Sequence, residues 1–246
     1  MTRLLTVLLA AAAVSCAPKS PYPVAQFTTP AGAQVEASMI SHGSIALKYK
    51  GFQIQVDPVS KMGQTEIDYS FFPKADLILI THDHGDHLDP AAIELLSKDG
   101  TRILLNPASR EKLGRGEAVS NGDTLRVGPV GVIAVPAYNI TEGREQFHPK
   151  GKNNGYILDF DGLRVYVSGD TEDIDEMASF GPVDVAFLSA NQPYTMTTTQ
   201  CVEAAMVLQP KTLIPYHLSD TDMQEIKNVL DSNDSGIEVL LYEELR

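Results

Sequence analysis

The stretch Leu77-Ile78-Leu79-Ile80-Thr81-His82-Asp83-His84-Gly85-Asp86-His87-Leu88-Asp89 constrains this chain more than any other. It begins as an apolar run of strand length and ends in a loop that packs three histidines and three aspartates into eight residues. A buried strand that delivers polar side chains at its C-terminal end gives a sheet a rigid edge for metal chemistry. The spacing His-x-His-x-Asp-His divides the ligands. In a tightly turned loop His82 and His84 fall on one side and can share a metal. Asp86 and His87, beyond a turn expected at Gly85, can face a second metal about 3.5–4 Å away. A merely solvated polar loop accounts poorly for so many ligand-type side chains after Leu-Ile-Leu-Ile.

Thr81-His-Asp-His-Gly-Asp-His-Leu-Asp89 resembles the signature loop of the metallo-β-lactamase superfamily of metal-dependent hydrolases. The resemblance runs from about residue 35 to 243. It implies an α/β chain folded as a four-layer αββα sandwich, with His82 and His84 in metal site one and Asp86 and His87 in site two.

The other histidines are read in that light. Val165-Tyr-Val-Ser168 has the pattern of a strand and delivers Gly169-Asp170-Thr171. A carboxylate at such a strand end can approach both metals, and the resemblance implies that Asp170 bridges them; the alternative is an N-cap for a helix over Glu172–Phe180. Thr212-Leu-Ile-Pro-Tyr-His217 resembles the family's closing Pro-x-His, which implies a site-two ligand. Pro136-Ala-Tyr-Asn139 and Phe147-His148-Pro-Lys-Gly151 follow a subset of relatives in which Asn139 stands where others carry a histidine. His148 is then expected to complete site one with Asn139 beside it as a hydrogen-bond donor, the alternative being a substrate-binding His148 on a lid.

Ser41-His42-Gly43-Ser44 and Val56-Asp57-Pro58 resemble elements of the branch typified by L-ascorbate-6-phosphate lactonase. They make His42 a candidate to contact substrate or support the ligands. Asp57 is either an orienting group for a ligand or a turn residue at a strand end. Tyr194 belongs to a Tyr-Thr-Met element that resembles the family's, but Asn191-Gln192 stands where relatives often carry glycines.

The N-terminus reads as targeting. Arg3 precedes an apolar run, Leu4 to Val14, too short to span a bilayer. Ala13-Val14-Ser15-Cys16 resembles a bacterial lipobox with Ala13 in place of the usual leucine. The expectation is a signal segment over residues 1–15, lipidation of Cys16, a proline-bearing linker over 16–34 and a hydrolase domain over 35–246. An ordinary secretory signal cut near Ala17 is the alternative. The chain then works in the cell envelope, lipid-anchored, or else as a secreted or periplasmic protein. Its only other cysteine, Cys201, lies in an apolar helical pattern and is expected in the core.

The formal charge of −13 argues against nucleic acid, which requires a basic face. The resemblance implies two divalent metals, Zn²⁺ on its ligand chemistry with Mn²⁺ or Fe²⁺ as alternatives, and a metal-activated water that cleaves an ester, lactone or phosphodiester of a small molecule or lipid. Asp86 is the candidate proton shuttle. A lipid phosphodiesterase like N-acyl phosphatidylethanolamine phospholipase D, a distant relative, and a non-catalytic metal-binding lipoprotein are the competing readings.

Overall fold

A computed structural model describes residues 20–246, so the expected signal segment and Cys16 lie outside the described residues. Two seven-stranded sheets form the body. The first holds β1 (Val24–Thr28), β2 (Gln34–Ser41), β3 (Ser44–Tyr49) and β4 (Phe52–Val56). A small hairpin follows, β5 (Lys61–Met62) with β6 (Thr65–Glu66). The sheet then continues through β7 (Leu77–Ile80), β8 (Arg102–Leu105) and β9 (Glu117–Ala118). The second sheet runs β10 (Thr124–Val127), β11 (Val130–Ala137), β12 (Asn153–Phe160), β13 (Leu163–Val167), β14 (Val185–Ser189), β15 (Thr212–Tyr216) and β16 (Glu238–Val239).

Both sheets repeat one pattern. Four antiparallel strands, joined by short connections except for the long β11–β12 loop that carries His148, lead into parallel strands reached by longer crossovers. The β12–β13 hairpin turns at Asp161-Gly162, where both residues have positive φ (52° and 96°). That is the requirement of a type I′ turn.

The apolar run of β7 is explained by burial on both faces. Leu77 and Leu79 join the core between the sheets, with Leu47, Ile54, Leu158 and Phe187. Ile78 and Ile80 point the other way, onto α1 (Pro90–Leu96), where Ile93 and Leu96 meet them. After β8 comes α2 (Pro107–Leu113). On the far side α3 (Thr198–Leu208) and α4 (Met223–Ser232) cover the second sheet with Val202, Ala205, Ile226 and Leu230. The result is the expected four-layer αββα sandwich. Cys201 is fully buried there, and burial pushes its thiol up to about 12, which suits the core role expected of it.

Two elements of the fold depart from expectation. Val24–Thr28, expected to be linker, is an edge strand paired along its whole length with β2. Its alternation puts Ala25 in the core, a signal masked by the flanking prolines. The helix expected over Glu172–Phe180 is only a 3₁₀ turn at Asp175–Ser179. The backbone before it is committed elsewhere, because the Glu172 N–H donates to Tyr138 O at 3.0 Å.

Candidate metal centre

The candidate ligands converge from the C-terminal ends of strands in both sheets. His82, His84, Asp86 and His87 follow β7; Asp170 follows β13; His217 follows β15; His148 comes from the loop between β11 and β12. Gly85 is not the source of the turn in the first loop: its φ is ordinary and a Cβ there would meet nothing within 4 Å. The turn is made by two backbone bonds to His84 O, from His87 N (3.2 Å) and Leu88 N (2.8 Å). The Asp89 carboxylate then caps α1 at Ala91 N, with Pro90 at the first helical position. Gly169 is the glycine that the site requires. Its φ is +62°, and a Cβ would lie 2.9 Å from Asn154 O and 3.0 Å from Thr81 Cβ.

Asp170 sits at the middle, 3% exposed. Its Oδ2 faces His148 Nε2 at 3.3 Å and His82 Nε2 at 3.8 Å. Its Oδ1 faces His87 Nε2 at 3.4 Å and His217 Nε2 at 3.5 Å. His84 completes a group with His82 and His148, in which all three ligand atoms lie within 4.8 Å of one another. Asp86 stands on the other side, its Oδ2 3.5 Å from His217 Nε2 and 3.8 Å from His87 Nε2. His42 joins that side: its Nε2 is 3.8 Å from Asp86 Oδ2, and its ring lies on His217 with centroids 3.7 Å apart. The third group within 4.8 Å is His82, His87 and Asp170.

Apart from those of His84 and Asp86, these atoms are buried and largely unpartnered. His82, His87, His148 and His217 Nε2 and Asp170 Oδ1 have no hydrogen-bond partner. Buried polar atoms are normally satisfied, so a convergent set of orphaned nitrogens fits a cation. The opposite ring nitrogens of His148 and His87 are held, while that of His217 is not. His148 Nδ1 lies 3.1 Å from both Asn139 Oδ1 and Tyr194 O. His87 Nδ1 lies 2.8 Å from Asp57 Oδ2. An Nδ1–H donated to these acceptors leaves the Nε2 lone pair toward the centre, the usual support of a ligating histidine.

The electrostatics follow the packing. Burial pushes the His42 imidazole down to about 4, with His217 and His87 acting in the same direction. Burial likewise lowers His82 and, less completely, His84, which favours the neutral form a metal needs. Burial opposes charge on Asp170, but His217 and His87 outweigh it and hold the carboxyl well below its ordinary range. For Asp86 burial again opposes, and the His217 hydrogen bond and His87 hold it low. Burial would lower His87, yet Asp170 and Asp57 raise it well above the ordinary value.

Three non-glycine residues of the site, His42, Asp57 and His217, have positive φ (51°, 44° and 53°) immediately beyond β2, β4 and β15. Such backbone is uncommon outside glycine, though His and Asp adopt it more readily than most residues, and it collects at functional sites. Asn139 donates from Nδ2 to Tyr194 O at 2.7 Å, while toward His148 its Oδ1 is an acceptor. Tyr194, 45% exposed, and His42 both line the cavity over the centre, together with Met62, Phe147 and Arg246.

Sequence reasoning missed Glu172. It is fully buried, and its Oε2 accepts from Ile140 N (2.7 Å) and Thr141 N (2.6 Å). Its Oε1 faces Arg144 at 3.6 Å. Glu172 thus ties the His148 loop to the backbone just after Asp170. The signal available was only its place two residues beyond Asp170, which also suits a helix's first turn.

The fold and the convergent His and Asp groups define a metal-dependent hydrolase. Residues 37–217 match the Beta-lactamase superfamily domain, and the chain belongs to that family. It is 30% identical over 183 residues to a UPF0173 metal-dependent hydrolase of Archaeoglobus fulgidus, covering 68% of this chain and 79% of that protein. A crystal structure described as that of a metal-dependent hydrolase from Parabacteroides distasonis is 50% identical, with a TM-score of 0.87, covering 92% of this chain and 100% of the other. The metallo hydrolase Igni18 of Ignicoccus hospitalis is 25% identical, with a TM-score of 0.72 over 86% of this chain and 96% of its own.

Proposed function

We propose that this hydrolase works with two divalent cations and cleaves an ester, lactone or phosphodiester. The observation that carries the reading is the division of Asp170, with Oδ2 toward His82 and His148 and Oδ1 toward His87 and His217. His82, His84 and His148 would hold one cation, Asp86, His87 and His217 the other, with Asp170 between them. Imidazole with carboxylate suits Zn²⁺ and also accommodates Mn²⁺ or Fe²⁺. Such cations supply a water of lowered pKa and polarise the scissile carbonyl or phosphoryl oxygen. Asp86 has a side chain 40% exposed, so it is the carboxylate of the centre open to the cavity and can take up a proton there. His42 and Tyr194, on the cavity wall, orient substrate. The His-Gly-Ser and Val-Asp-Pro elements favour a place beside the ascorbate-phosphate lactonases.

Elemental analysis of residues 17–246 tests the metal reading. The expected result is about two equivalents in the unaltered protein, falling toward one in His148→Ala as one of the two sites loses a ligand. Unchanged metal in His148→Ala moves that residue to substrate binding, and no metal after reconstitution, with the fold intact, sinks the dinuclear reading.

The lipobox-like Ala13-Val14-Ser15-Cys16 supports an envelope location. Cys16→Ser in the full chain is expected to shift the protein from the membrane fraction to the soluble one, since the anchor is the lipid on that sulfur. Equal partition of both forms rules the anchor out. An anchored site also suits a lipid phosphodiester, the competing substrate.

A further inference from the structure

Asn191-Gln192, the departure from the family pattern, lies where two cavities meet. One, of about 510 Å³, faces the metal centre; the other, of about 600 Å³, opens beside it, and Asn191, Tyr194 and Ser219 line both. Asn191 is 8% exposed. Its backbone is fully used: N–H donates to Thr195 Oγ1 at 2.6 Å, and its carbonyl accepts from Tyr194 N (2.8 Å) and Thr195 N (2.7 Å). Among the described residues the hydrogen bonds of this segment engage that backbone and not the carboxamide. The carboxamide therefore stands without a protein partner and open to the cavities, where a ligand can meet it.

The second cavity has a distinct chemistry. The hydroxyl-bearing Thr197, Thr198 and Thr221 line it with Ser219. Neither Lys nor Arg lines it, while Asp220 and Asp222 do, so an anionic group is disfavoured. Tyr194 is its only large apolar residue, which gives an acyl chain little to pack against. The cavity is matched to a neutral group rich in hydroxyls.

We infer that Asn191 and this second cavity form a substrate subsite that takes a neutral, hydroxyl-rich portion, such as a sugar ring, while the scissile group lies at the histidines. The inference rests on the proposed dinuclear centre as the place where the scissile group binds. The carboxamide supplies both a donor and an acceptor, the pairing that a vicinal diol offers in return.

The test is isothermal titration of the zinc-loaded protein with two product-like probes, methyl phosphate and ribose 5-phosphate. The sugar phosphate is expected to bind about ten-fold more tightly, as one or two added hydrogen bonds imply. Asn191→Ala and, independently, Thr198→Val should each bring that preference down to about two-fold or less, as loss of a hydrogen bond requires. Equal affinity of the unaltered protein for both probes, or an undiminished preference in both variants with native circular dichroism, overturns the subsite and leaves the metal centre standing. Absence of binding of either phosphate by protein that carries zinc overturns the subsite, whereas failure of the protein to take up zinc overturns the metal centre on which the subsite rests.

Discussion

Asp170→Asn is expected to empty both halves of the metal centre together, with metal content falling from about two equivalents to well under one. The argument is geometric. Each carboxylate oxygen of Asp170 faces a different pair of histidines, so this one side chain meets both groups. An amide keeps the shape but carries no charge, and it turns one of its two acceptor atoms into a donor aimed at ligand nitrogens. Hydrolysis should fall by on the order of 10²–10⁴, the equivalent of the several kcal/mol that a bound cation contributes to a transition state. The backbone around position 170 is fixed independently, since Gly169 N donates to Tyr216 Oη at 2.8 Å, so the fold should persist. Elemental analysis beside initial rates on an activated ester or phosphodiester checks the expectation. Retention of one full equivalent would show that Asp170 serves one site alone.

Much of this centre was legible in the chain, for a reason particular to it. The apolar strand and four of the ligand-type residues are contiguous at Leu77–His87, and a strand buried on both faces reads as an unbroken apolar run. His148, Asp170 and His217 are distant in sequence, yet each follows a strand pattern, so the C-terminal edges of the sheets gather them. What was not legible is tertiary. Nothing in Thr171-Glu172-Asp173 says that Glu172 turns inward to accept two amides of a loop some thirty residues earlier. The positive φ of His42 and His217 is equally silent, because those backbones are set by contacts across the molecule: His42 N donates to Glu244 O (3.0 Å) and His217 N to His42 O (3.2 Å). The edge strand Val24–Thr28 was hidden by Pro21, Pro23 and Pro30, which bracket it without interrupting it.

Asp57 has the second large effect, and it acts without touching the metals. It is fully buried beyond β4, with φ 44°. Its Oδ1 accepts from Thr81 N at 2.8 Å; its Oδ2 accepts from Thr81 Oγ1 at 2.6 Å and faces His87 Nδ1 at 2.8 Å. It therefore fixes both the first residue of the ligand loop and the tautomer of His87. Asparagine tolerates the left-handed backbone, so Asp57→Asn removes the charge with little added strain. The new NH₂ must then face either the Thr81 N–H or the His87 Nδ1–H, donor against donor. Metal affinity should weaken by about 10–100-fold, the usual effect of losing an outer partner of a ligating histidine. The metal-free protein should lose about 1–3 kcal/mol, the cost of a buried donor left unsatisfied. Chelator competition and calorimetry of the metal-free form read the two effects separately. If affinity and stability both match the unaltered protein, Asp57 is no more than the turn residue that its place before Pro58 also allows. A loss of stability with unchanged affinity would assign it to the fold and leave His87 oriented by Thr81, whose Oγ1 lies 3.5 Å from the same nitrogen.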